Sequence, residues 1–126
     1  MKLHADQPDT LAITAYGEGW VAVNGQRHTG SLVVTSEGQV MAWEVQQFDH
    51  LTAEHFEQLA RVTKEPPELV VFGSGSRLRF VRPALQQGLM TRRIGVETMD
   101  TAAACRTYNI LAGEGRRVVL ALLMDI

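Results

Sequence analysis

The sequence predicts an α/β fold in which a β-meander is followed by alternating strands and helices. The first 45 residues contain five short segments of apolar or β-branched residues, which turn residues separate. After residue 67, short apolar strands alternate with helical segments, which favours parallel pairing through right-handed crossovers. The chain of 126 residues contains no long linker, so we expect a single domain, 1–126.

The meander is marked by its turns. Asn24 and Gly25 predict a type I′ hairpin, because both residues tolerate positive φ. Gly30 and a turn at 36–38 separate the later segments. These strands either extend the sheet of the second half or fold over it as an extra layer. The predicted strands are 11–15, 20–23, 26–29, 31–35 and 40–45.

A first helix is predicted at 53–62. Thr52 is its expected cap, and Leu51 and Phe56 would form a hydrophobic staple around that cap. Two consecutive prolines then exclude a helix and favour an extended entry into a buried strand at 68–72.

A glycine-rich loop at 73–76 follows this strand, and 77–81 is predicted to be extended. Pro83 suits the first position of a second helix, because its fixed φ is preorganised for helical geometry. This helix would carry Leu85, Leu89 and Met90.

The clearest α/β unit covers residues 94–125. After a short strand, Asp100 or Thr101 is expected to cap a helix by accepting a backbone N–H. Gly113 would help to end that helix. The last segment, 118–123, is almost entirely apolar, as is typical of a strand covered on both faces.

Composition excludes several classes of protein. The net charge of -2 and the pI of about 6.1 argue against a general nucleic-acid binder, which needs a basic surplus. The single cysteine, Cys105, excludes an internal disulfide and a cysteine-rich zinc site. The four histidines lack metal-ligand spacing. We therefore expect no metal and no cofactor.

No membrane anchor is predicted. The strongest apolar run, 118–124, is far shorter than the roughly 20 residues that a transmembrane helix needs. The first nine residues contain no apolar stretch of the kind found in secretory signals. We therefore expect a cytoplasmic protein. Exposed sheet edges would allow a weak homodimer, although nothing in the sequence requires more than a monomer.

Gly73, Ser74 and Gly75 follow a buried strand, which is where phosphate-binding loops occur. The third glycine of the dinucleotide pattern and the lysine of a P-loop are both missing. Two interpretations stay open. The loop is either a sharp turn that needs glycine, or a small anion site in which loop amides act with Arg77 or Arg79.

The helix of the C-terminal unit carries the most interesting polar cluster. Cys105 and Tyr108 share one face, so both are expected to pack inward, while Arg106 and Asn109 share another. The cluster is either a charged hydrogen-bond network that ties the helix to neighbouring strands, with Glu97 and nearby charges, or a binding surface.

The binding interpretation places the candidate site at the carboxyl ends of the strands. Ligands of open α/β sheets collect there, so Glu97, Thr98 and Thr101 would line a crevice with the Gly73 loop. Arg106 or Arg79 would supply positive charge to that crevice.

Six segments of the second half resemble one known pattern: VVFGSG (70–75), RF (79–80), Pro83, GVETM (95–99), AACRTYNIL (103–111) and EGRRV (114–118). The pattern resembles a small family of unknown function. That family includes bacterial and archaeal single-domain proteins and the third assembly factor of mitochondrial respiratory complex I (NADH dehydrogenase). The resemblance implies three layers: a central mixed sheet of about five strands, helices on its faces and an additional β-layer.

The resemblance and the residues together predict two alternative functions. The resemblance implies a non-enzymatic interaction or assembly protein with protein partners. A respiratory complex is the partner that the mitochondrial relative suggests, with this protein peripheral to the membrane. The alternative is a small-molecule or anion-binding module, or a weak enzyme with Glu97 as its general acid or base. A carboxylate held in a crevice would favour the enzyme, and a large exposed apolar patch would favour the partner.

Overall fold

A computed structural model describes residues 10–124, so the expectation about the first nine residues lies outside it. The chain forms two sheets. The first is antiparallel, with the order β1-β2-β3, and the second is mixed, with the order β5-β4-β8-β6-β7. The strands are β1 (Ile13–Gly17), β2 (Trp20–Val23), β3 (Gln26–Thr29), β4 (Leu32–Thr35), β5 (Val40–Ala42), β6 (Leu69–Gly73), β7 (Gly95–Met99) and β8 (Val118–Leu122).

The strands of the predicted meander divide between the two sheets. Three of them form the extra layer and two extend the larger sheet, so both expected arrangements occur. Asn24 and Gly25 have φ values of 47° and 85°, and they form the predicted tight turn between β2 and β3. Gly30 follows β3 with φ at 83°, a conformation that glycine adopts without a Cβ clash. The chain leaves the first sheet there, and β4 and β5 join the second.

The last strand lies at the centre of the larger sheet. β8 pairs antiparallel with β4 and parallel with β6, and β6 pairs parallel with β7. All five residues of β8 are fully buried, which agrees with the apolar pattern of its sequence. The predicted parallel centre is therefore confirmed, within a sheet of mixed direction.

The helices are α1 (Ala53–Glu57), α2 (Gln87–Met90) and α3 (Thr101–Gly113). Thr52 caps α1 as predicted, but the helix tightens into a 3-10 turn at Gln58–Ala60 and so ends before residue 62. Pro83 opens a 3-10 turn, Pro83–Gln86, that leads into α2. Asp100, one of the two predicted residues, caps α3 by accepting from the amide of Ala103 at 2.9 Å.

Helices cover both faces of the larger sheet. On one face, α3 and the small sheet share a core with the β6 and β8 side chains, and α3 contributes Tyr108. On the other face, α1 contributes Phe56 and α2 contributes Leu89 to a second core. The rings of Phe56, Trp43 and Phe72 meet edge-on there, with centroids 5.3–6.0 Å apart. The resulting layers are helices, central sheet, and a mixed layer of α3 with the first three strands.

Two predicted strands have the wrong boundaries. The strand predicted at 11–15 continues to Gly17, because Tyr16 and Gly17 pair with Val21 and Trp20 around a shorter turn. The strand predicted at 40–45 ends at Ala42, since the amide of Val45 turns back to the carbonyl of Trp43 at 2.8 Å. Residues 77–81, which were expected to be extended, pair with no strand in the described part of the chain.

Gly73→Ala is expected to destabilise the fold. A Cβ at Gly73 would lie 2.7 Å from Leu122 Cδ2 and 3.2 Å from Ala104 Cβ, and both neighbours are buried. Overpacking of this kind costs about 1–3 kcal/mol, which lowers the melting temperature by several degrees. Thermal unfolding followed by circular dichroism measures the change.

Gly113→Ala is the matched control. A Cβ at the last residue of α3 meets nothing within 4 Å, so the same chemical change should keep or slightly raise stability. Equal melting temperatures for the two variants would contradict the close approach of α3 to β6.

Candidate functional site

A small cavity lies at the carboxyl ends of β6 and β8. It arises because these parallel strands end at the same edge, and α3 begins beside them. The turn between β1 and β2 closes it from the side of the small sheet. The volume is about 130 Å³, and the lining residues are Gly17, Glu18, Gly19, Gly75, Ser76, Thr101, Leu123 and Met124.

The Gly73 loop is joined to its neighbours through its backbone. The amide of Ser74 donates to the carbonyl of Met99 at 2.8 Å, and the amide of Leu123 donates to the carbonyl of Gly73 at 2.9 Å. The carbonyl of Gly75 accepts from the amide of Thr101 at 2.8 Å. The loop therefore fastens the end of β6 to β7, β8 and the start of α3.

Ser74 is fully buried, and its hydroxyl is engaged on both sides. The hydroxyl donates to the carbonyl of Arg77 at 2.8 Å and accepts from the amide of Arg79 at 2.9 Å. The guanidinium of Arg79 returns to the loop, with Nη2 2.6 Å from the Ser74 carbonyl, and it lies over the ring of Phe48 at 4.6 Å. These contacts hold the loop in a tight turn, in which the hydroxyl and the carbonyl of Ser74 bond to Arg77 and Arg79.

The charge of the cavity does not match the anion interpretation. Glu18 is the ionisable side chain among its lining residues, and Arg79 is engaged elsewhere. The amide of Ser74, which an anion site would use, already has a carbonyl partner. Of the predicted residues, Gly75 and Thr101 line the cavity.

Glu97 and Thr98 do not reach this crevice. They lie in the middle of β7, opposite Val71 and Phe72 of β6, and neighbouring residues of a strand point to opposite faces. Glu97 is exposed on an edge strand, and no hydrogen bond or ion pair joins its side chain to another described residue. The structure therefore separates these two residues from the Gly73 loop.

Arg106, Tyr108 and Asn109 contact the N-terminal strand, and we call this set of hydrogen bonds the α3–β1 contact. The hydroxyl of Tyr108 donates to the carbonyl of Leu11 at 2.8 Å. Asn109 accepts from the amide of Ile13 at 2.8 Å and donates to its carbonyl at 2.9 Å, as a neighbouring strand would. Arg106 Nη1 lies 3.1 Å from the hydroxyl of Tyr16.

The charged residues around this helix form a separate group. Arg116 Nε lies 3.1 Å from a carboxylate oxygen of Glu68, and the amide of Arg117 donates to the same carboxylate at 3.3 Å. Hydrogen bonds from Arg117 and Arg116 lower the pKa of Glu68 below its usual value. This group lies at the amino ends of β6 and β8 and joins the segment after α3 to the start of β6. Arg106 takes no part in it, because its side chain bonds to Tyr16.

Cys105 and Tyr108 are both fully buried, as predicted. Burial raises the pKa of the Cys105 thiol to about 12, against a small opposing effect of Arg106. Burial also raises the pKa of Tyr108 above its ordinary range, which keeps its hydroxyl protonated as a donor to Leu11. These groups stay neutral and support the packing of α3.

A larger cavity of about 520 Å³ opens beside the ends of β3 and β5, and no spacing in the sequence predicts it. It gathers a loop tryptophan, two histidines and several amides from segments far apart along the chain. Among the described residues, no group of three His, Cys, Asp or Glu could hold a metal ion. The lining residues include Ser31, Trp43, Glu44, Gln46, His50 and His55.

Asn109→Ala is expected to lower the free energy of unfolding by about 1–3 kcal/mol. The change removes two hydrogen bonds and leaves both backbone groups of Ile13 without their partner. Urea denaturation measures the loss, and native-state hydrogen exchange should rise first in β1.

Arg106→Ala is the control within the same contact. Its bond to Tyr16 is exposed, so the cost should stay within about 0.5 kcal/mol. An unchanged midpoint for Asn109→Ala would show that the α3–β1 contact does not hold the small sheet.

The thiol of Cys105 is expected to be unreactive toward a disulfide reagent at pH 8 and to react fully in denaturant. Its native pKa is raised from 9.0 to about 12, so the unfolded chain loses the proton first. Stability should fall as pH rises from about 9 toward 12, by about 1 kcal/mol per pH unit, and less steeply in Cys105→Ala. Rapid modification of the native protein would contradict this burial.

The comparisons with known proteins agree with one another. A family model described as "Protein of unknown function (DUF498/DUF598)" matches residues 13–123. The chain is 32% identical over 121 residues to bovine NADH dehydrogenase (ubiquinone) 1 alpha subcomplex assembly factor 3. That match covers 96% of this chain and 65% of the bovine protein, so the chain spans slightly less than two thirds of that relative's length.

Solved bacterial structures are also similar. A crystal structure from Bordetella parapertussis gives a TM-score of 0.85 at 42% identity, covering 92% of this chain and 97% of that chain. A solution NMR structure from Bordetella pertussis, described as a Mth938-like domain, gives a TM-score of 0.81 at 39% identity, covering 99% and 93%. The sequence resemblance is thereby confirmed: the chain belongs to the protein family of unknown function DUF498/DUF598 and has the mixed α/β fold of its solved bacterial relatives.

Proposed function

We propose that this protein is a non-enzymatic assembly protein that binds a protein partner, and that the partner belongs to a membrane-bound respiratory complex. The similarity to a complex I assembly factor over 96% of the chain is the observation that carries the proposal. The proposed location is the cytoplasm, in peripheral contact with the membrane complex. Among residues 10–124, no helix is long and apolar enough to cross a bilayer.

The chemistry of the second half of the chain supports binding over catalysis. The Ser74 hydroxyl is buried and bonded on both sides, and the Cys105 thiol is buried with a pKa of about 12. Glu97 lies on the exposed edge strand, away from both groups. A nucleophile needs a base within hydrogen-bond reach, and these groups do not provide that pairing.

The outer side of α3 is the proposed contact surface. Arg106 and Ile110 are one helical turn apart, so they lie on the same side of the helix. Ile110 is 61% exposed, and Tyr16 of β1, which holds Arg106, is 40% exposed. Arg106 therefore lies between two partly exposed side chains, Ile110 and Tyr16. Arginine and tyrosine are among the residues that contribute most of the binding free energy in protein interfaces.

Affinity purification from gently solubilised cells, followed by mass spectrometry, tests the proposal. The tagged protein at native expression level should enrich subunits of a respiratory complex. Arg106→Ala combined with Ile110→Ser should reduce that enrichment at least tenfold, because both changes lie at the proposed contact. Both side chains are exposed, so the melting temperature should change little.

Met90→Ser is the matched control. Met90 is 54% exposed on α2, on the other face of the central sheet, and its loss should leave the enrichment unchanged. Equal enrichment by wild type and the α3 double variant would exclude this surface. Enrichment of no respiratory subunit in repeated experiments would overturn the assembly role itself.

A further inference from the structure

The loop at 76–82 presents two large apolar side chains to solvent. Phe80 is 72% exposed, the highest fraction among the large apolar side chains of the described residues, and Leu78 is 49% exposed. A folded protein normally turns such side chains inward, since each one left in water forgoes the free energy of its burial. Two of them in three residues therefore need an explanation.

The fold holds these side chains in their exposed position. Arg79, between them, turns toward the protein, where its amide bonds to the hydroxyl of Ser74 and its guanidinium to the carbonyl of Ser74. The same guanidinium packs over Phe48 at 4.6 Å. The loop is thus anchored at its centre, and Leu78 and Phe80 project from a fixed base.

The loop and the sequence on either side of it are basic. Residues 69–96 contain five arginines and no aspartate or glutamate, although the whole chain has a net charge of -2. Arg77 and Arg82 flank the apolar pair, both exposed, and neither side chain bonds to another described residue. The loop therefore combines projecting apolar groups with positive charge.

A groove of about 300 Å³ continues the apolar surface behind Phe80. Its walls are mainly apolar, and Asp49 is the acidic side chain among its lining residues. The lining residues are Phe48, Asp49, Leu51, Phe80, Val81, Arg82 and Leu85. The apolar surface is accordingly wider than the two projecting side chains.

We propose that the 76–82 loop docks on an anionic lipid bilayer. Leu78 and Phe80 enter the boundary between headgroups and acyl chains, and Arg77 and Arg82 contact lipid phosphates. A bilayer accommodates projecting side chains of any shape, whereas a protein partner must supply a matched pocket for each. This surface lies on the face of the sheet opposite α3, so it goes beyond the protein contact proposed above.

Co-sedimentation with large vesicles tests the proposal. Vesicles of phosphatidylcholine containing about one-third phosphatidylglycerol should bind the protein, and vesicles of phosphatidylcholine alone should bind it much less. Phe80→Ser should weaken binding at least tenfold, and Arg77→Gln and Arg82→Gln about fivefold each. High salt should weaken the binding of the wild type. In Phe80→Trp, the tryptophan emission should shift to the blue on anionic vesicles.

Ile110→Ser is the matched control, since Ile110 is 61% exposed on the opposite face and its loss should leave vesicle binding unchanged. Circular dichroism should show all variants folded, because the altered side chains are exposed. Absence of binding to anionic vesicles would overturn the proposal. So would binding that Phe80→Ser leaves intact, or a dimer or protein complex that depends on Phe80 without any vesicle binding. None of these results bears on the enrichment that Arg106 and Ile110 control.

Discussion

The position of the final strand is the constraint on which the rest of the structure depends. β8 bonds to β4 on one side and to β6 on the other, so the larger sheet is continuous only when the last segment of the chain is in place. Its side chains alternate between the two cores, with Leu120 in one and Val119 in the other. Both layers of the protein are therefore built on one strand, through contacts of large sequence separation.

The position of the small sheet depends on α3. β1 has few buried residues of its own, and Ile13 is the one that enters the core. Tyr108 and Asn109 compensate with hydrogen bonds to the backbone of Leu11 and Ile13, which no neighbouring strand provides. These polar residues of α3 thus take the place of a neighbouring strand, and their hydrogen-bonding groups stabilise the fold.

The sequence predicted the fold class well because its signals are local. The Asn24–Gly25 turn, the Asp100 cap and the continuous apolar pattern of β8 each depend on a few adjacent residues. The candidate site was less predictable, since it depends on which strand neighbours which. Glu97 is adjacent to Thr98 in the sequence, yet the pleat of β7 sends their side chains to opposite faces. The partner of Asn109 lies 96 residues away, a distance at which no local pattern is informative.

The distribution of polar groups also supports placing the proposed function on the surface of the protein. In the second half, the hydroxyl of Ser74, the amide of Asn109 and the hydroxyl of Tyr108 all have partners within the fold. A group already satisfied by its own protein must break a bond before it can act on a ligand, and that cost opposes binding. The side chains that pay no such cost are those that project outward without a partner. They include Ile110 on one face and Phe80 on the other, and this is why the two proposed contacts lie on separate surfaces.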